Sequence, residues 1–368
     1  MRTKRHAVHV VAFLIATLFS ACMAGQEHEM SIFTPGVRVS PDDRYLAFFA
    51  GPRPPGGASP RSEWSRLFVI DFDTNEVICC QHLTPAGFAL AWEPSGAARL
   101  FVEEDLLGAT GTYRTGLVGL PPSEKFAPGV IQEFEAESEP IASYEILVLA
   151  WNPNGQILAA GCGLADIHLS FDGGKSFVPT NTARRTFHLV WATNDTLLAM
   201  TWTGRGSDNR ISELKIGTHG VDSMRTVAEG PKLLLDGVLD GRGIYHTEHD
   251  VHLGDAVFIH SENRIGTVVA NGKYVGVTLW PAEGDGQILI YDSQRKVVGR
   301  RSIPRATTLM AISAKRQCMY VVERRPCEIH SYGFTEDSKA STTWKIPQVQ
   351  IPQEDSSKAS IQGSTPRP

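Results

Sequence analysis

The sequence predicts an all-β fold, a β-propeller of seven blades spanning residues 33–345. Two observations carry this. A phrase of the form apolar run, Pro/Asn/Asp/Gly turn, apolar run returns along nearly the whole chain. It is seen in Val39-Ser40-Pro41-Asp42-Asp43-Arg44-Tyr45-Leu46-Ala47-Phe48, in Leu90-Ala91-Trp92-Glu93-Pro94-Ser95-Gly96, and in Leu149-Ala150-Trp151-Asn152-Pro153-Asn154-Gly155-Gln156-Ile157-Leu158. In addition, no stretch holds a strong helical period over a dozen residues.

Each element has a physical reason. The run before the turn is short and apolar, as suits a strand buried on both faces between neighbouring blades. Pro, Asn, Asp and Gly then set the reverse turn. Seven such turns fall near Pro41, Pro94, Pro153, Thr193, Asp240, Asn271 and Ala314. Their spacing is about the 40–50 residues of one blade, stretched by insertions before Pro94 and before Pro153 and shortened before Asn271. A second strand follows the turn, as in Tyr45–Ala50, Ile157–Gly161 and Leu197–Thr201. A third is clear in Arg66–Asp73 and Gln287–Asp292. The ring is expected to close by a donated strand, with Met30–Gly36 completing the last blade or Thr342–Ile351 the first.

Two insertions interrupt the repeat. Gly51–Ser62 is Pro/Gly-rich, and Leu120–Pro140 carries the acidic run Glu133–Glu139. Both read as solvated loops, and loops are also where partner contacts concentrate. Residues 346–368 are rich in Pro, Ser, Gln and Lys and read as a disordered tail.

The first 21 residues have the form of a signal peptide. Arg2, Lys4 and Arg5 precede an apolar stretch from Ala7 to Phe19, and the small residues Ser20 and Ala21 follow. Ser20-Ala21-Cys22 resembles the end of a bacterial lipobox, which makes Cys22 a candidate lipidation site. Cleavage after Ala24 is the alternative, giving a free protein. Either way the reading is an exported protein, periplasmic or at the cell surface, touching membrane only through a lipid at Cys22.

Net charge is −5, which argues against a nucleic-acid partner, since neutralising phosphates needs a basic face. Five cysteines follow Cys22. Cys79 and Cys80 are neighbours on one strand and point to opposite faces. A hairpin at Arg324-Arg325-Pro326 would set Cys327 beside about Glu323, so register disfavours a Cys318–Cys327 disulfide.

The phrases Val37-Arg38-Val39-Ser40-Pro41-Asp42-Asp43-Arg44-Tyr45-Leu46-Ala47-Phe48 and Leu67-Phe68-Val69-Ile70-Asp71-Phe72-Asp73-Thr74-Asn75-Glu76-Val77 resemble the blades of TolB-like and WD40-like bacterial propellers. Ser170-Phe171-Asp172-Gly173-Gly174-Lys175-Ser176-Phe177 resembles an Asp-box, a hairpin turn of sialidases and other propellers. That resemblance implies a folding device: Asp172 accepts bonds from the turn, Gly174 takes positive φ, and Phe177 packs beneath. The Gly-His and Trp-Asp dipeptides of true WD40 repeats are missing.

Candidate chemistry is sparse. His246-Thr247-Glu248-His249-Asp250-Val251-His252 would place His246, Glu248, Asp250 and His252 on one face if it were a single strand. A metal there would take His246 and His252 with Glu248 or Asp250, although a polar hairpin tip explains the same residues and no metal site is assigned. There is no Gly-x-Ser-x-Gly and no His-Glu-x-x-His. Gly204-x-Gly206 is too short for a phosphate loop, so no cofactor is predicted. Trp92, Trp151 and Trp191 recur just before turns, a position that suits packing between blades. Catalytic residues stay unknown. The sequence therefore supports a monomeric propeller that binds a protein, a small molecule or a glycan on one face, as a scaffold in the cell envelope. The alternative is a hydrolase or lyase acting on extracellular glycans or small molecules. What fills the central channel decides between them.

Overall fold

The computed structural model describes residues 30–346, apart from 53–65, 81–89, 95–98, 106–112, 120–145, 163–165, 175, 183–184, 204–207, 306, 324–326 and 336–341. The expected signal peptide, Cys22, most of the Pro/Gly-rich insertion, the acidic insertion and the expected tail lie outside these residues. Six four-stranded antiparallel sheets form. The first holds β1 (Met30–Val39), β2 (Tyr45–Pro52), β3 (Arg66–Asp71) and β4 (Glu76–Cys80). A three-stranded sheet follows, β5 (Leu90–Trp92), β6 (Arg99–Asp105) and β7 (Tyr113–Gly119). The second blade is β8 (Ile146–Trp151), β9 (Leu158–Cys162), β10 (His168–Ser170) and β11 (Val178–Pro179). The third is β12 (Thr186–Trp191), β13 (Thr196–Trp202), β14 (Asp208–Ile216) and β15 (Val221–Pro231). The fourth is β16 (Leu234–Leu239), β17 (Arg242–His246), β18 (Asp250–Leu253) and β19 (Ala256–His260). The fifth is β20 (Arg264–Ala270), β21 (Tyr274–Trp280), β22 (Gly286–Asp292) and β23 (Val297–Ile303). The sixth is β24 (Thr307–Ser313), β25 (Cys318–Glu323), β26 (Glu328–Gly333) and β27 (Thr342–Lys345).

The expectation of seven blades is thus corrected. Among the described residues six four-stranded blades are formed, and the unit around Pro94 is a three-stranded sheet whose first strand has three residues. One turn phrase does not guarantee four strands. The short spacing before Asn271 proved harmless: the blade around Asp240 is complete, built from strands of four to six residues.

Burial grades outward through a blade. The second strands are enclosed by neighbours on both faces: β13 is buried from Thr196 to Thr201, and β21 from Tyr274 to Leu279. These read in sequence as unbroken apolar runs. The outermost β15 is mostly exposed. Apolar clusters form between blades. Leu198, Met200 and Ile211 of the third blade pack with Leu235 and Tyr245 of the fourth. Ile288 and Ile290 of the fifth pack with Leu309, Met319 and Val321 of the sixth.

The turn phrases also fasten blades together. The Asn152 side chain accepts from the Gln156 and Ile157 amides, both at 2.9 Å, and its amide donates to Asn194 O at 3.0 Å in the next blade. Asn271 repeats this, accepting from the Tyr274 amide at 2.9 Å and donating to Ile312 O at 3.2 Å. Two of the recurring tryptophans do likewise. The Trp92 indole donates to Arg38 O at 3.0 Å, and the Trp191 indole to Ala150 O at 2.9 Å.

Among the described residues no strand is exchanged at the seam, against the expected closure. β1 is the inner strand of the first blade and β27 the outer strand of the last. Side chains close the ring instead. The Asp43 carboxylate accepts from Ser313 Oγ at 2.7 Å and from the Lys315 amide at 2.8 Å, and Arg316 donates to Asp73 at 2.8 Å. Beneath them one cluster unites Leu46, Phe48, Phe68 and Ile70 with Tyr320, Val322, Ile329 and Trp344. Phe72 stacks on Tyr320 with ring centroids 4.6 Å apart.

Candidate functional site

The inner strands β1, β5, β8, β12, β16, β20 and β24 touch in succession and enclose a channel of ≈ 960 Å³. Its wall is mainly apolar, with Val37, Val148, Leu149, Leu235, Val268 and Met310 among the lining residues. The indole-bearing residues Trp92, Trp151 and Trp191 also line it.

In each of the six blades the inner strand carries a register irregularity against its neighbour. In β12, β16 and β24 the extra residues are Phe187, Asp236 and Met310, and all three line the channel. A bulge adds one residue without a partner and re-aims it. That is how Asp236 comes to face inward beside the apolar Leu235. Gly237 supports the turn of the backbone. Its φ is +154°, and a Cβ there would sit 2.8 Å from Ala270 O of the next blade. We expect Gly237→Ala to lower stability by about 1–3 kcal/mol, read as a shift in the urea midpoint. A midpoint equal to wild type would mean the blades can separate at this point without cost.

Arg38, His188, Asp236 and His246 are among the polar residues that line the channel. Asp236 and His246 form a buried pair, Oδ2 to Nδ1 at 2.7 Å, with side chains 7% and 5% exposed. Burial pushes the Asp236 carboxyl up to about 6, against the pull of His246. His188 Nδ1 bonds the Leu235 carbonyl, which fixes its proton on that nitrogen. Burial first, and then the Arg38 charge, bring His188 down to about 4, so it is neutral at neutral pH. Arg38 stands on β1 and His188 on β12, with β5 and β8 between them in the ring. The guanidinium is near enough to act on His188 through its charge. It bonds Val37 O at 2.9 Å, and burial lowers its pKa from the ordinary value. An arginine keeps its charge regardless.

The His246–His252 segment is a hairpin rather than one strand: His246 ends β17 and pairs with Val251 of β18. Its four polar side chains therefore diverge. His246 turns inward to Asp236, Glu248 binds Lys232 at 2.8 Å, Asp250 binds His260 at 2.7 Å, and His252 stacks on Tyr245. The shared metal face is overturned. Among the described residues, no three His, Cys, Asp or Glu side chains come together as metal ligands. His246 belongs to the channel instead.

The other candidates are local. Asp172 accepts from Ser170 Oγ at 2.8 Å and from the Ser176 amide at 3.0 Å. Gly174 has φ +88°, and Phe177 packs on the Leu149–Trp151 cluster. Cys162 lies 3.7 Å from His168 Nδ1, but that nitrogen also meets Asp166 O at 2.9 Å. A proton held toward the carbonyl leaves no lone pair there to activate the thiol. Cys318 is a buried free thiol whose pKa burial raises, which makes it inert. The hairpin pairs Glu323 with Glu328, one residue past the expected register.

No protein-family model and no curated protein matches the chain. Solved structures do. The β-propeller domain of the Trilobed protease from Pyrococcus furiosus, described as having an open velcro topology, is 12% identical. The match covers 87% of this chain and 95% of that one, with a TM-score of 0.54. The Myceliophteria thermophila Cps50 (Swd1) β-propeller domain is 15% identical, over 88% and 98% of the two chains, with a TM-score of 0.52. A chain from the mitotic checkpoint complex is 9% identical over 72% and 80%, at a TM-score of 0.45. At these identities the likeness shows the fold. The protein is a repeat-built β-propeller.

Proposed function

We propose that this propeller is an exported binding protein that takes a ligand in its central channel. One observation carries the reading. A preformed cavity of ≈ 960 Å³ with apolar walls and a few convergent polar groups has the size and make-up of a small-molecule site. The Ser170–Phe177 turn serves as an Asp-box-type folding device in a propeller of bacterial kind. The leader and Cys22 deliver the protein to the cell envelope, where Cys22 carries the lipid.

The test of the channel is a neutral apolar fluorophore, N-phenyl-1-naphthylamine. Its emission should rise on binding the wild-type chain and fall back in Thr267→Trp, where an indole replaces a small side chain on the channel wall. Emission unaffected by that substitution would place binding elsewhere and defeat the reading. The export proposal predicts a mature chain starting at lipidated Cys22, read by mass spectrometry of the N-terminus. A chain starting at Gly25 removes the anchor.

A hydrolase or lyase is the second reading. Neutral His188 and the elevated Asp236 carboxyl are the observation in its favour, since both sit where acid–base chemistry needs them. Turnover of a glycan lost in His188→Gln would establish it.

A further inference from the structure

We propose that the channel takes a phenol, an aromatic body whose hydroxyl group donates a hydrogen bond to Nε2 of His246. This rests on the reading of the channel as a ligand site and names its ligand class.

The Asp236–His246 pair sets the polarity of the contact. Asp236 Oδ2 accepts from His246 Nδ1 at 2.7 Å. A carboxylate only accepts, so the neutral ring carries its one proton on Nδ1 and a lone pair on Nε2. Among the described residues no group bonds that Nε2, yet the atom is not sealed inside the protein. The His246 side chain is 5% exposed and lines the channel, so the channel is what it opens to. His188 has the same sense. Its Nδ1 proton is held by the carbonyl of Leu235, the residue before Asp236, and burial keeps its ring neutral. It too adds an acceptor rather than a donor. Polar groups at the turn-phrase end are committed elsewhere: Asp43 to Ser313 and the Lys315 amide, Asn271 to its own turn and Ile312 O. An acceptor in a largely apolar space is costly without a donor, and a ligand hydroxyl supplies one.

The body of the ligand follows from what surrounds His246. Leu234 is its partner in the β16–β17 ladder, Met200 Sδ accepts from the Leu235 amide at 3.3 Å, and Phe187 is the bulged residue of the neighbouring β12. All line the channel, and Phe187 and Leu234 are 42% and 41% exposed at the starts of their strands. Rings and thioethers pack well on flat aromatic surfaces. Two large apolar side chains open to water mark where such a body enters. A phenol joins it to a hydroxyl more acidic than that of an alcohol, and therefore to a stronger donor.

The experiment uses the full chain at pH 8, where the Asp236 carboxyl, at about 6, is ionised. Its two probes share one shape: 2-naphthol and 2-methoxynaphthalene. Methylation removes the donor and keeps the rings. Binding is followed by the probes' own emission. Naphthol should bind roughly fivefold more tightly than the ether, the size of one hydrogen bond to a buried acceptor. His246→Phe should bring the two probes level. The double variant Asp236→Leu/His246→Phe replaces both buried partners by apolar ones. It should do the same, and it serves as the test if the single variant does not fold. Equal affinities in the wild type, tighter binding of the ether, or a preference kept in either variant overturns the phenol assignment. The channel reading then stands if Thr267→Trp blocks both probes. Binding of neither probe removes both readings.

Discussion

Replacing Tyr320 with Ala should be among the most damaging single changes in this protein, lowering stability by about 3–5 kcal/mol. Tyr320 is 1% exposed and stacks on Phe72 across the seam, with Trp344 at 6.3 Å. Burial drives its phenol well above the ordinary range, so it stays neutral. A cavity at this place differs from one between two middle blades. Among the described residues no strand ladder joins the first and last blades, so the lost contacts are those that close the ring. Equilibrium unfolding in urea measures the loss. A change below about 1 kcal/mol would show that the polar clasp of Asp43, Ser313 and Arg316 holds the seam without the aromatic stack.

The second large effect is a pH profile exposed by Asp236→Asn. In the wild type two channel groups oppose each other. His188 falls from 6.5 to about 4 on folding, so between those values the unfolded chain binds the extra proton and stability is lost as pH falls. Asp236 rises from 3.8 to about 6, so over nearly the same window the folded chain holds the extra proton and stability is lost as pH rises. The two slopes largely cancel, and the wild type should be nearly flat from pH 4 to 6 as far as these groups are concerned. Asp236→Asn removes one arm. Its stability relative to wild type should then drop as pH goes from 6.5 to 4, by at most about 3 kcal/mol. His188→Gln should show the mirror image, losing relative stability as pH rises through the same range. Parallel profiles in wild type and Asp236→Asn would mean that the Asp236 carboxyl titrates normally.

The architecture was legible because its signals are local and repeated. Ser40, Asn152 and Asn271 each satisfy their own turn, so one phrase could be recognised many times. The packing role of Trp92 and Trp191 followed from their common place before the turn, and the structure adds the bond each makes to the neighbouring blade. Strand number in a unit was not legible: among the described residues β5 has three residues and its sheet three strands. The channel site was missed for a definite reason. Asp236 and Phe187 face inward through bulges, which break the two-residue alternation that a sequence reading depends on. Arg38 and His188 come from opposite walls, and nothing short of the closed ring brings them together. His246 was noticed with the wrong companions, because Thr247–His249 turns the chain back instead of extending it.

Each blade here is one stretch of chain, and among the described residues the first and last meet through side-chain contacts rather than a strand ladder. The order in which the blades are threaded is therefore free of the ring they form. A circularly permuted chain, joined from Ile346 back to Met30 by a linker and opened between β15 and β19's blade at Lys232-Leu233, would keep every strand ladder intact. The same modularity lets a unit be gained or lost without unpairing any other.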